Sequence, residues 1–233
     1  MSSRSVTGSP TSSDHDIDLV PLAVVHVGLL VGGGAALALD RPAQGWGVLV
    51  VVVAYVAALQ VAARRSGRPD LAALAAFLVP VSAFQVLPDW VLAGLVGTLR
   101  FPDTGGLRVD DVIPVAMAGM WVAPLFIAVA LAAGRPARAA VLAVVVFLAA
   151  EIAAPMLGLW EPTGDTTRWA GVAIYVLPAE AALGWATAYA FGATRTSSAP
   201  TRIGAALAVS TFYLGALVLS YFLIDVAGWR ITA

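Results

Sequence analysis

Cysteine is absent from the 233-residue sequence, and that single absence excludes disulfides, thiolate metal sites and cysteine nucleophiles together. Lysine is absent as well: all 13 basic residues are arginine, a usage that points to a GC-rich bacterial gene more than to a mechanism. Two histidines, His15 and His26, are too few for a histidine-based metal site. Charge of either sign is scarce. Charged residues make up 12% of the chain, against about 25% in a typical soluble domain. A net charge of −1 leaves no basic footprint for nucleic acid. Also missing are a glycine-rich phosphate loop, a Ser-His-Asp arrangement and a dinucleotide fingerprint. Asp110 and Asp111 in "VDDVIP" could hold Mg²⁺, but the pair reads first as a solvated helix start. No metal and no organic cofactor is expected.

What the chain has in abundance is apolar length. Hydrophobic residues make up 60% of it and the mean hydropathy is +0.89. A spanning helix needs about 20 apolar residues. Seven stretches qualify: Leu19–Leu39, Gln44–Ala63, Leu71–Leu92, Val112–Ala133, Ala137–Leu159, Ala170–Phe191 and Ile203–Ile224. The expected fold is therefore all-α, an integral membrane bundle of about seven transmembrane helices. Pro80 and Pro88 predict a kink in the third span, or its ending in a short interfacial helix. Residues 1–17, "MSSRSVTGSPTSSDHDI", read as a disordered polar tail, and 18–233 as one transmembrane domain with no repeat clear enough to interpret. The tail is too long and acidic for a signal peptide. Arginines favour the loops on the tail's side, most densely in "RRSGR", so the N-terminus is expected in the cytoplasm and the protein in the cell membrane, multi-pass.

Against that background four acidic residues stand out, because the other ten lie in loops, tails or span ends. Asp89, Glu151, Glu180 and Asp225 fall inside spans. An ionised carboxylate at the bilayer centre costs about 3 kcal/mol on insertion scales, and such residues face the bundle interior. Depth counting puts Glu151 and Glu180 near mid-membrane and Asp89 and Asp225 toward the outer end, so all four could line one cavity. Ser82, Gln85 and Asp89 form a polar stripe at i, i+3 and i+7. Glu180 has Gly184 and Thr187 on its face, small enough to admit another helix or a ligand. Met117, Met120, Trp121 and Pro124 form a bulky stripe on the fourth span. Trp121, Trp185, Tyr175, Tyr221, Gln85 and Met117 are the candidate substrate-binding residues. Trp46, Trp90, Trp160, Trp169 and Trp229 fit an aromatic belt at the outer interface. His26 and Gln60 share a depth and could bond each other, and "GLLVG" at 28–32 suggests close helix packing. The bland alternatives are structural: interfacial residues at helix ends for Asp89 and Asp225, and interhelical hydrogen bonds for the two glutamates.

Acidic side chains and aromatic walls in a lipid-shielded cavity suit an apolar substrate that must be protonated. Seven spans in so short a chain, with an acid near the end of the last ("YFLID", Asp225), resemble the small integral membrane terpene cyclases, the meroterpenoid and drimentine-type enzymes. "LPAEAALGW" at 177–185 is similar to the Pro-x-Glu-Glu signature of membrane-bound lycopene cyclases, with Ala181 where those carry a second acid. The resemblance implies protonation-initiated cyclisation of an isoprenoid or prenylated substrate, an isomerase or lyase chemistry without cofactor. Glu180 and Asp225 would be the acid and base, with Glu151 and Asp89 in support. The expected partners are a lipophilic small molecule and membrane lipid. A proton-coupled transporter, a carotenoid hydratase and a non-catalytic membrane scaffold stay open as alternatives.

Overall fold

Prolines open the helices of this chain. Pro21, Pro69, Pro136 and Pro200 each sit in a first turn, where their missing N–H leaves no hydrogen bond unmade. The structure, a computed structural model, describes residues 19–227; the expected tail at 1–17 and Trp229 lie outside them. Helices α1 (Val20–Leu37) and α2 (Ala43–Arg65) form a hairpin. Helix α3 (Pro69–Phe84) breaks at Gln85, resumes as α4 (Val86–Trp90), and runs into a π-helical turn, Val91–Val96, that ends on Gly97 at φ 75°. Helices α5 (Met117–Met120) and α6 (Val122–Ala132) form a fourth rod, and α7 (Pro136–Met156) and α8 (Val176–Thr194) the next two. Helix α9 (Ala199–Tyr221) ends in a second π-helical turn, Phe222–Val226.

The all-helical expectation holds for the bundle, and five of its rods are long and apolar enough to cross a membrane: 20–37, 43–65, 69–96, 136–156 and 199–226. The rod 117–132 is shorter. Apolar side chains cover the outside too. Helix α1 buries only Leu22 and Ala36, and exposes Val20, Val24, Val27, Leu30 and Val31, a surface suited to lipid and not to water.

Two expected spans start too early. The residues ahead of α5 and α8 form hairpins instead of helix: β2 (Arg108–Val109) pairs with β3 (Ile113–Pro114), and β5 (Arg168–Trp169) with β6 (Val172–Ala173). Both turn on two consecutive positive-φ residues, Asp110 and Asp111 in one and Ala170 and Gly171 in the other, which a helix does not tolerate. The fourth and sixth rods therefore begin at Met117 and Val176, and neither is among the five long enough and apolar enough to cross a membrane.

These hairpins expose a duplication. Leu99, Pro102, Arg108 and Val112 recur as Leu159, Pro162, Arg168 and Val172, and Gly-Arg-Pro at 67–69 recurs at 134–136. Gly67 and Gly134 have φ 68° and 76°, and Arg68 and Arg135 cap their helices at the same φ of −105°. Arg108 donates to the carbonyls of Phe101 and Asp111; Arg168 likewise donates to the Gly164 carbonyl of its own loop. Two helix–loop–helix units, α3 to α6 and α7 to α8, thus run in the same direction. The loops meet through β1 (Leu99–Arg100) and β4 (Glu161–Pro162), antiparallel, with Leu99 opposite Pro162 and Arg100 opposite Glu161.

Small residues set the closest crossing. A Cβ on Gly184 would lie 2.4 Å from Ala143 Cβ and 2.6 Å from the Ala139 carbonyl oxygen, so α7 and α8 touch backbone to backbone. Of the two occupants that the Glu180 face could admit, a helix fills the Gly184 end. The α1–α2 contact uses Gly47 against Ala36 and Gly32 against Val51, while Gly28 faces open space. His26 bonds the Leu22 carbonyl (2.7 Å) and the Tyr55 hydroxyl (3.2 Å), not Gln60 as its depth had suggested.

Candidate functional site

Pro88 has no N–H to give the Phe84 carbonyl, which accepts the Ser210 hydroxyl of α9 instead at 2.8 Å. That bond ties the broken rod to α9 just below Asp89. The break and the π-helical turn after it, a feature common at functional sites, carry Asp89 into the interior, where it is 3% exposed. Its Oδ2 accepts the indole N–H of Trp121 at 3.2 Å. On α7, Glu151 Oε1 accepts the indole N–H of Trp160 at 3.0 Å. The two carboxyls face one chamber of about 30 Å³.

The duplicated units divide its walls. The first supplies Asp89, Leu92, Thr98, Leu99, Phe101, Met117 and Trp121; the second supplies Glu151, Trp160, Pro162, Ala173, Tyr175 and Val176. Tyr213 of α9 closes the side. It lies within electrostatic reach of Asp89, Glu151, Glu180 and Tyr175, and Glu151 acts on both Asp89 and Glu180. Trp121 packs against Phe147 and Tyr213 with ring centroids 5.1 and 5.7 Å away. The paired loops form the roof. Tyr175 donates to Thr98 Oγ1 at 2.9 Å, Thr163 N–H to the Thr98 carbonyl at 2.9 Å, and Arg100 pairs with Glu161.

Of the sequence candidates, the chamber gathers Asp89, Glu151, Trp121, Met117 and Tyr175. Glu180, 1% exposed, sits on α8 a turn from Val176, next to the chamber and not lining it. Gln85 is fully buried one turn from Asp89. Tyr221 packs edge-on to Tyr175 at 5.3 Å, one layer out. Asp225 lies outside the lining: its Oδ1 accepts the Thr167 N–H at 2.7 Å and anchors the second loop to the end of α9. Trp185 is no cavity wall. It is 42% exposed on the outer surface of the bundle, stacked on Tyr189 at 5.2 Å.

Sequence reasoning missed Trp160, Tyr213 and Thr98. Trp160 fits the aromatic-belt pattern by sequence, but that role suits Trp46 and Trp169, which are 47% and 60% exposed. Trp90 bonds Asp110, and among the described residues no His, Asp and Glu group is arranged to hold a metal ion. The signal for Trp160 and Thr98 was the duplication, which aligns the loop holding Trp160 with the loop after Asp89; Tyr213, on α9 outside both units, had no such signal.

Several buried polar atoms lack a partner among the described residues: Ser82 Oγ, both amide atoms of Gln85, Glu180 Oε2, Thr187 Oγ1, Asp225 Oδ2 and Gln60 Oε1. Each such atom costs about 1–3 kcal/mol, and Ser82, Gln85, Glu180 and Thr187 lie on α3, with Gln85 as its C-cap, and on α8, the two helices that lead away from the chamber.

A family model described as DUF6989, a domain of unknown function, matches residues 86–224. That stretch contains every residue lining the chamber. No curated protein and no solved structure matches the chain.

Proposed function

We propose that this chain, which belongs to the DUF6989 family, is a membrane-embedded terpene cyclase that starts ring closure by protonating an isoprenoid or prenylated substrate. In this reading all seven rods span the cell membrane, the N-terminus is cytoplasmic, and the roofed end faces outward. The observation that carries it is the meeting of two carboxyls from different helices, the buried Asp89 and the half-buried Glu151, in one chamber walled by indole and phenol rings.

Each carboxyl has one oxygen committed to an indole N–H, which leaves the other to face substrate. A protonated carboxyl gives its proton to a terminal alkene carbon, and the resulting tertiary cation is attacked by the next double bond. After the last ring forms, a neighbouring carbon loses a proton to the second carboxylate. The balance is one proton in and one out, an isomerisation that needs no cofactor. Trp121, Trp160 and Tyr213 offer ring faces to the cation, and a substrate that fills the chamber displaces the water that would quench it there. The acid–base roles expected for Glu180 and Asp225 pass to Asp89 and Glu151, with Glu180 adjacent and Asp225 anchoring the roof.

A chamber of about 30 Å³ holds one or two water molecules, whereas ligand pockets run to about 300–1,000 Å³. Substrate binding therefore requires the β1–β4 roof to part. The test is expression in a host making farnesyl- and geranylgeranyl-derived compounds, followed by mass spectrometry of the extract. New isomers of unchanged mass support the cyclase; a gain of water makes the protein a hydratase instead.

A proton-coupled carrier is the second reading, and the duplication favours it. Parallel repeats with a site at their interface are a common transporter plan. Proton-dependent uptake into proteoliposomes, with no new product in the expression host, would establish it in place of the cyclase.

A further inference from the structure

The chamber continues on the side away from its roof, through residues the reaction above leaves unused. On the rod of α3 and α4, Ser82, Gln85 and Asp89 share one helix face at i, i+3 and i+7. On α8, Glu180 and Thr187 have the same seven-residue separation, roughly one and three turns below the chamber residue Val176. The α3 rod climbs toward the roof and α8 descends from it, so both stripes run from the chamber toward the opposite end. The two helices are in contact, and α9 packs against both, with Tyr213 within reach of Asp89 and Glu180 alike.

These side chains are sealed from the surroundings. Ser82, Gln85 and Thr187 are 0% exposed and Glu180 is 1% exposed. All four hold polar atoms without a partner among the described residues: Ser82 Oγ, Gln85 Nε2 and Oε1, Glu180 Oε2 and Thr187 Oγ1. Elsewhere the bundle satisfies interior hydroxyls directly, Ser210 on the Phe84 carbonyl and Tyr175 on Thr98. Hydrocarbon offers nothing to such atoms, and buried polar groups that lack protein partners are met by ordered water. Gln85 leaves a donor and an acceptor open together, the pair of demands that a water molecule meets as acceptor and donor.

We propose that Gln85, Ser82, Glu180 and Thr187 bind a file of water molecules that runs from the carboxyl chamber toward the arginine-rich end of the bundle and resets its proton pair. The use of those protons rests on the cyclase reading; the file itself does not. After each turnover one carboxyl carries an extra proton and the other lacks one. The first gives its proton to the file and the second takes one from it, so that no charge accumulates.

The experiment is infrared spectroscopy of the purified full chain in lipid nanodiscs, transferred from H₂O to D₂O without substrate. The C=O stretch of the protonated Glu180 carboxyl is identified by its loss in Glu180→Gln. In the wild type it shifts as fast as buffer is exchanged. Gln85→Leu and Thr187→Val each slow the shift by about tenfold or more, the factor that goes with losing one hydrogen-bonded link. Gln85→Glu and Thr187→Ser, which keep a polar atom in place, restore fast exchange. Thr211→Val, on the exposed side of α9, leaves the rate unchanged. The proposal is overturned if Glu180 shows no protonated band, if that band resists exchange, or if both apolar variants exchange at the wild-type rate. Fast exchange without any terpenoid product would remove the cyclase reading alone; product with a non-exchanging Glu180 would remove the water file alone.

Discussion

Replacing Gly184 with alanine tests the geometry that sets Glu151 against the rest of the chamber. The new Cβ would sit 2.4 Å from Ala143 Cβ and 2.6 Å from the Ala139 carbonyl oxygen, where ordinary contact begins near 3.4 Å. Neither neighbour can swing away: one is a methyl on a fully buried alanine and the other is backbone. Helices α7 and α8 must move apart by roughly 1 Å, an overpacking that costs about 1–3 kcal/mol. Gly192 on the same helix is the matched control, because a Cβ there meets nothing within 4 Å. Alanine at an open helical position gains about 0.5–1 kcal/mol over glycine. Gly184→Ala carries the same gain beneath its overpacking cost, so it should be the less stable of the two by about 1–3 kcal/mol. Reversible unfolding in mixed micelles against a denaturing detergent, followed by circular dichroism, measures both. Equal midpoints for Gly184→Ala and Gly192→Ala would refute the close crossing of α7 and α8.

Three other expectations follow from the site. Trp121→Phe keeps the ring but removes the N–H donor to Asp89; a hydrogen bond to an ionisable group is worth about 1.5–3 kcal/mol, so turnover should fall roughly 10- to 100-fold with the variant still monodisperse by size exclusion. The chain has no cysteine, so Leu99→Cys with Pro162→Cys, opposite each other in the β1–β4 ladder, can be oxidised without competition. If the roof must part, oxidation abolishes product formation and reduction restores it, and an oxidised protein of full activity would place the substrate route elsewhere. Trp185→Leu, on the outer surface, should leave product identity and yield unchanged in the same extracts.

The sequence made the rods legible because apolar length is a one-dimensional property. It did not make the inward faces legible. A helix in lipid is apolar all round, so the contrast that marks the buried side of a soluble helix is missing. That is why Trp121 and Trp185 looked equivalent although one bonds Asp89 and the other faces outward. Asp225 illustrates a different limit. Its position at the end of the last rod was right, but its partner, the Thr167 N–H, belongs to a loop whose fold depends on a short hairpin, as the first loop's does. Those strands are two residues long and turn on positive-φ positions such as Asp110 and Ala170, neither of them glycine. Trp160 was hidden by a plausible belt role. The repeated Leu-x-x-Pro and Gly-Arg-Pro motifs are the sequence feature that links its loop to that of Asp89.

The most direct measurement is turnover by membranes from an expressing host in D₂O, with wild type, Asp89→Asn and Glu151→Gln side by side. The account predicts a cyclised isomer carrying one solvent deuteron at the carbon first protonated, and loss of that product in both variants with the protein still present in the membrane. A cyclised product without deuterium, or one formed undiminished when both carboxyls are replaced, would contradict it.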